Sequence, residues 1–206
     1  MSKVGYILSG TSFGDEGKGT FTDYISSEYD IKGNVRYNGG SQAAHTVTLD
    51  DGTKHTFSQL GSHQLSNDRK TYLSDNTVIN LFNIYEEISV LNRKKKTIDL
   101  LSRIYIDKDA LVATPYHRLI NQLKAIKEDE VKRGTTGTGV SEVSALKDIG
   151  LMLKVRDLYD SKYRDILKDL YEYTRRFYIE NKTKFGSLKN IDIELLGLLN
   201  DKNYIV

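Results

Sequence analysis

The 206-residue sequence predicts an α/β fold: a central, mostly parallel sheet flanked by helices, with a phosphate-binding loop after the first strand and a hairpin insertion. Three observations predict it. The apolar run "VGYILSG" (4–10) ends in glycine and reads as a buried parallel strand. "SGTSFGDEGKGTFTDY" (9–24) then runs through a glycine-rich loop into a helix start. That order suits phosphate, because free backbone N–H groups and the helix dipole both favour an anion. Beyond it, short strand-like runs alternate with helical ones.

The elements follow in order. "GNVRYNGG" (33–40) gives a second short strand and another glycine turn. "HTVTLDDGTKHTF" (45–57) is a hairpin around Asp51-Gly52, a strong turn dipeptide. "TYLSDNTVIN" (71–80) is strand-like, and 81–93 has helical spacing at Leu81, Ile84, Ile88 and Leu91. "RIYIDKDALVATPYH" (103–117) reads as strand and turn, with the only proline, Pro115, just before a helix from about His117 to Lys132. "GTTGTGVS" (134–141) is a second glycine-rich loop. A long amphipathic helix is expected from Leu151 to Ile179, with Leu151, Val155, Leu158, Ile166, Leu170 and Phe177 on one core-facing stripe. "SLKNIDIELLGLLN" (187–200) is one more helix, and "NYIV" (203–206) starts like a strand. The whole reads as a single domain over 1–206, cut short after that strand.

Composition narrows the classes. No cysteine is present, which excludes disulfides, thiolate catalysis and zinc–thiolate sites. A net charge of +2 gives no push toward nucleic acid. No apolar run is long enough to span a membrane, and the start is too short and weakly charged for a signal peptide. A cytoplasmic location is the expectation.

The glycine loop fits neither common template. For G-x-x-x-x-G-K-[ST] the first glycine would fall on Ser12, and Gly19 stands where a magnesium-holding Ser or Thr belongs. G-x-G-x-x-G is absent as well. The acids are the informative part. Asp15 beside phosphates makes sense as a Mg²⁺ ligand or as a proton acceptor. Glu16 either joins the phosphate site or complements a helix dipole. Lys18 either neutralises phosphate or is an exposed lysine. His45 either supports charge on a reacting oxygen or is a hydrogen-bonded histidine at a strand edge. His55, His63 and His117 have no metal-ligand spacing and are left as structural or surface residues.

Together, "GDEGKG" (14–19), "RYNGG" with "AAHTV" (36–47), "GTTGTG" (134–139) and "TPYHRLINQL" (114–123) resemble the adenylosuccinate synthetase family, in order and spacing. The resemblance implies that a nucleoside triphosphate, ATP or GTP, phosphorylates the 6-oxygen of a purine nucleotide, after which L-aspartate displaces phosphate. It makes Asp15 the base for the purine N1 proton and a Mg²⁺ ligand, and His45 the residue supporting charge on the 6-oxygen and the transferred phosphoryl group. Gly14, Asp15, Glu16, Gly17, Lys18, Gly19 and Thr20, with Ala44, His45 and Thr46, would hold the NTP phosphates, and the Ala44 carbonyl would face Mg²⁺. Asp15, Lys18, Gln42, Ala43, Thr135, Thr136 and Lys147 would contact the substrate nucleotide, Lys147 as a weak substitute for an arginine. The resemblance also implies a homodimer.

Departures point to a branch. Gln42-Ala43-Ala44-His45 stands for N-A-G-H, and "HTFSQLGSHQL" (55–65) for an I-P-S-G stretch. Both look like phage relatives that join aspartate to dGMP on the way to 2-aminoadenine nucleotides, which would place the protein in the host cytoplasm. Those relatives often lack the loop aspartate, which is kept here. The chain thus reads as an intermediate type in which dGMP and IMP both stay open, and the two blocks favour dGMP. The family chain continues well past a strand like "NYIV", so a second reading is a catalytically incomplete nucleotide-binding module that needs a second chain. A generic phosphate-loop hydrolase is the weakest reading.

Overall fold

The glycine loop feeds helix α1 (Lys18–Glu28), whose N-cap Gly17 is left-handed at φ 69°. The computed structural model describes residues 4–12, 14, 16–95, 99–127, 136–185 and 193–199. Within them β1 (Gly33–Arg36) is followed by the hairpin β2 (His45–Thr48) and β3 (Lys54–Phe57), then β4 (Lys70–Leu73), helix α2 (Leu81–Lys95) and β5 (Ile104–Ile106). β1, β4 and β5 form a parallel sheet in the order β1-β4-β5, with Val35, Tyr72 and Tyr105 in register. The β1–β4 connection carries the hairpin and the β4–β5 connection carries α2. The parallel sheet, its helices and the hairpin insertion agree with the fold class expected.

Residues 4–10 do not form the expected first strand. Val4, Tyr6, Ile7 and Leu8 are exposed, Ile7 at 93%. A buried parallel strand needs neighbouring strands and covered faces, and neither sheet of the described residues borders this run.

Packing divides the chain into two compact units. Unit 1 is Met1–Tyr37, Ala43–Ser74 and Phe82–Ile106; unit 2 is Asn38–Gln42, Asp75–Leu81 and Asp107–Val206. In unit 1, α1 packs against β2 and against a 3₁₀ turn at Ser62–Gln64. The segment 59–65 leading through that turn is buried throughout, although it carries Gln59, Ser62, His63 and Gln64. Loops rarely bury so many polar groups, and doing so requires hydrogen-bond partners.

Unit 2 is helical around α3 (Pro115–Lys127), α4 (Val140–Lys147), α5 (Tyr163–Asn181) and α6 (Ile193–Gly197). Leu119, Ile120 and Leu123 of α3 meet Leu146 of α4, Leu170 and Tyr171 of α5, and Leu195 of α6 in one apolar cluster. Each such buried side chain contributes roughly 1.5–3 kcal/mol. Pro115 is the first residue of α3, where its missing N–H costs nothing. Residues 128–132 of the expected helix and "NYIV" lie outside the described residues.

The long helix starts later than its periodicity predicts. Leu111 and Lys154 form an isolated antiparallel bridge, and Val155–Tyr159 is a 3₁₀ turn in which the Asp157 carboxylate accepts the Lys154 N–H at 2.8 Å. α5 begins only at Tyr163, so Leu151, Val155 and Leu158 sit outside it, while Ile166, Leu170 and Phe177 do pack as expected.

Candidate functional site

In unit 1, the glycine loop leads into α1, which packs against β2. Gly19 is buried, and a Cβ added there would lie 2.9 Å from the His45 Cβ and 3.1 Å from its carbonyl carbon. Only glycine lets the loop's helix approach β2 this closely. The Thr20 hydroxyl donates to the Thr46 carbonyl at 3.4 Å, and the Thr46 hydroxyl meets that of Thr56 at 3.0 Å. Ala44 is exposed just ahead of β2, Ala43 is half-buried, and Gly14 is exposed with φ 120°. Asp15 lies outside the described residues.

Glu16 turns back into the loop. Its carboxylate accepts the Thr11 and Ser12 N–H groups at 2.6 and 2.7 Å and the Lys18 ammonium at 2.7 Å. The Lys18 hydrogen bond, then those two N–H groups, hold the Glu16 carboxyl below the usual carboxylate range. These donors are of the kind a phosphate would use.

His45 is half-buried at the first position of β2. Burial, then the Arg36 and Lys18 charges, push its pKa down, with Glu87 pulling the other way. The imidazole is therefore neutral near pH 7 and able to give one hydrogen bond. Arg36 donates to the Ser58 carbonyl. Burial lowers its pKa and the Glu87 charge offsets that.

Glu87, on α2, is a residue that sequence patterning passes over. It is 6% exposed, and its carboxylate accepts from Ser58 N at 3.1 Å, Ser58 Oγ at 3.0 Å, Gln59 N at 2.9 Å and Leu60 N at 3.3 Å. Hydrogen bonds to a charged acceptor contribute about 1.5–3 kcal/mol each. His55 Nε2 stands 3.7 Å from Glu87 Oε1, and Lys94 Nζ is 3.3 Å from His55 Nδ1. The only sequence signal for Glu87 is an acid next to the apolar stripe of α2.

In unit 2, Gln42, Asn121, Thr136, Thr138, Ser141 and Ser144 line a recess of about 380 Å³. The hydroxyls of Thr136 and Thr138 are 3.1 Å apart. Gly139, left-handed at φ 80°, caps α4; an added Cβ would meet Arg118 N at 2.6 Å and His117 C at 2.7 Å. Asn121 Nδ2 lies 3.3 Å from both Ser141 Oγ and Glu142 Oε1, and buried Glu142 accepts Lys124 Nζ at 2.6 Å. Lys147 is exposed and lines a separate recess with Asp75, Asn76, Thr77 and Asp148, sharing only Ser144 with the first. Gln42 and Thr136 thus share a recess that Lys147 does not enter. Thr135 lies outside the described residues.

The adenylosuccinate synthetase family profile matches residues 7–203. The chain belongs to the adenylosuccinate synthetase family. It is 27% identical to the adenylosuccinate synthetase of Mycoplasma mycoides over 97% of this chain and 49% of that one. Against the adenylosuccinate synthetase of Halothermothrix orenii it is 34% identical over 75% of this chain and 35% of that one. The chain thus spans less than half the length of these relatives. The fully ligated adenylosuccinate synthetase of Plasmodium falciparum superposes with a TM-score of 0.71, over 93% of this chain and 42% of that one, at 24% identity. That likeness is one of fold. No helix among the described residues is long and apolar enough to cross a membrane.

Proposed function

We propose that the chain carries the phosphate-handling and nucleotide-binding part of a ligase that joins L-aspartate to C6 of a 6-oxopurine nucleotide. The close approach of Gly19 to His45 carries this reading, because it brings a glycine loop bearing Lys18 against a neutral imidazole. Loop 14–20, with Ala44, His45 and Thr46, holds the phosphates of GTP or ATP. Lys18 balances charge and the neutral His45 imidazole gives a hydrogen bond as the γ-phosphoryl group passes to the purine 6-oxygen, with Asp15 taking the N1 proton. The aspartate amine then attacks C6; the C–N bond forms, the C6–O bond breaks and phosphate leaves. Positioning and charge neutralisation do most of the work in such transfers.

Mg²⁺ suits these residues. It takes hard oxygen donors and keeps water and phosphate oxygens in its shell, so a carboxylate and a carbonyl suffice from the protein. Asp15 and the exposed Ala44 carbonyl are such donors, and the described residues gather no competing group of three or more His, Asp or Glu side chains. Bound there, the ion would neutralise phosphate charge.

The recess holding Gln42 and Thr136 takes the substrate nucleotide, and its volume lies within the ~300–1,000 Å³ of ligand pockets. The Gln42-Ala43-Ala44 block favours dGMP over IMP, Lys147 stands outside this recess and takes no part in holding the nucleotide there, and the protein acts as a homodimer in the cytoplasm, the host's where a phage encodes it. The test is phosphate release by the purified chain with each nucleotide, GTP or ATP, and Mg²⁺, with and without L-aspartate. Aspartate-dependent release supports the ligase, and the better nucleotide decides the branch. Tight nucleotide binding without release selects the binding-module reading.

A further inference from the structure

We infer that Glu87 is a positioning residue for the phosphate loop: from α2 it pins the 58–60 turn, and that turn fixes the bed on which α1 is seated. The inference rests on the phosphate-loop reading above. Ser58 is held at both ends, its N–H and hydroxyl by Glu87 and its carbonyl by Arg36. Gln59 and Leu60 give their N–H groups to the same carboxylate. Gly61 N then donates to Thr71 Oγ1 at 3.3 Å, which ties the segment to β4. The 3₁₀ turn 62–64 follows at once and packs against α1. Ser66 closes the connection, its hydroxyl bonding Asp23 of α1.

One buried carboxylate therefore organises three consecutive backbone N–H groups and offsets the Arg36 charge, and the elements it fixes support the helix that opens from the glycine loop. A glutamine at 87 keeps the shape, loses the charge and turns an amide NH₂ toward groups that are themselves donors. The turn would then loosen, and the bed of α1 with it.

The test is calorimetric titration of the full chain with Mg²⁺ and inorganic tripolyphosphate, with amide exchange at 58–60 followed in parallel. Glu87→Gln is expected to weaken binding by about tenfold and to speed exchange at 58–60. Leu91→Ala cuts a fully buried apolar side chain one turn along α2 and is expected to lower stability without changing the affinity. Equal affinity in Glu87→Gln and the native chain overturns the inference, as does an equal loss in Leu91→Ala, which marks plain destabilisation. If Glu87→Gln does not fold, Ser58→Ala takes its place; it removes one of the four bonds, and an unchanged affinity again overturns the inference. Failure of the native chain to bind tripolyphosphate removes the phosphate-loop reading itself, and the inference with it.

Discussion

Lys18 Nζ and Glu16 Oε2 lie 2.7 Å apart inside the glycine loop, so the lysine that would meet a phosphate already holds a carboxylate. The same carboxylate takes the Thr11 and Ser12 N–H groups. A polyphosphate entering the loop competes with Glu16 for all three donors. Glu16→Ala removes the competitor, and tripolyphosphate is expected to bind about two- to tenfold tighter at low ionic strength, the gain shrinking with salt. Calorimetry at two salt concentrations reads both effects. Weaker binding in the variant would show that Glu16 shapes the loop for its ligand instead.

Gly19→Ala sets two opposed effects against each other. Alanine gains about 1 kcal/mol of helix propensity over glycine. Its Cβ, however, would sit 2.9 Å from the His45 Cβ and 3.2 Å from its Cα, atoms that move only if β2 moves. Overpacking of that kind costs about 1–3 kcal/mol, and the clash wins. The melting temperature is expected to fall by roughly 2–8 °C, with tripolyphosphate affinity falling alongside it. An unchanged or raised melting temperature would mean that α1 and β2 separate without cost.

Much of the fold is legible in the sequence itself. The hairpin is local: Asp51-Gly52 and the alternation on either side define it, and β2 and β3 pair as expected. Helices α2 and α3 carry their period in single uninterrupted stretches. The 4–10 run failed for the converse reason, since a parallel strand depends on distant partners that its own residues do not encode. The α5 start failed because Leu151, Val155 and Leu158 keep a helical spacing while bridging to Leu111 and a 3₁₀ turn use the backbone otherwise. Among the candidate site residues, Lys18, His45, Gln42 and Thr136 sit in motifs, and Gly19 explains why the helix that begins at Lys18 comes so close to His45. Glu87 and Asn121 act through backbone and side-chain partners far along the chain, and no short pattern marks them.

His117 ties stability to pH. It is fully buried, its Nδ1 accepts the Thr114 N–H at 3.1 Å, and burial pushes its pKa down to about 4. The folded chain therefore keeps it neutral, while the unfolded chain protonates it below about pH 6.5. Its contribution is fully present above the unfolded value and is lost as pH falls toward the folded one. By about pH 5 the loss is about 2 kcal/mol. Urea midpoints at about pH 7.5 and 5 should fall accordingly in the native chain, and much less in His117→Asn, whose amide oxygen can still accept the Thr114 N–H. Equal slopes in the two proteins would place the sensitivity elsewhere; His45, lowered in the same direction, is the next group to replace.

Lys124 and Glu142 brace the recess holding Gln42 and Thr136 indirectly, because Glu142, paired with Lys124, also accepts a hydrogen bond from Asn121, which lines it. Glu142 is 5% exposed, and Lys124 is its ion-pair partner among the described residues, so removing that lysine takes a counter-charge from a buried carboxylate. Breaking a buried pair costs about 3–5 kcal/mol, and the Lys124 side chain, about one-third exposed, brings Lys124→Met toward the lower end. Glu142→Gln added to it removes the charge while keeping an acceptor for Asn121, and should recover about 1–2 kcal/mol. Urea unfolding of the two single variants and the double variant closes the cycle. If the double variant is no more stable than Lys124→Met alone, the charge on Glu142 was never the cost, and the recess owes its shape to the apolar packing of α3 on α4.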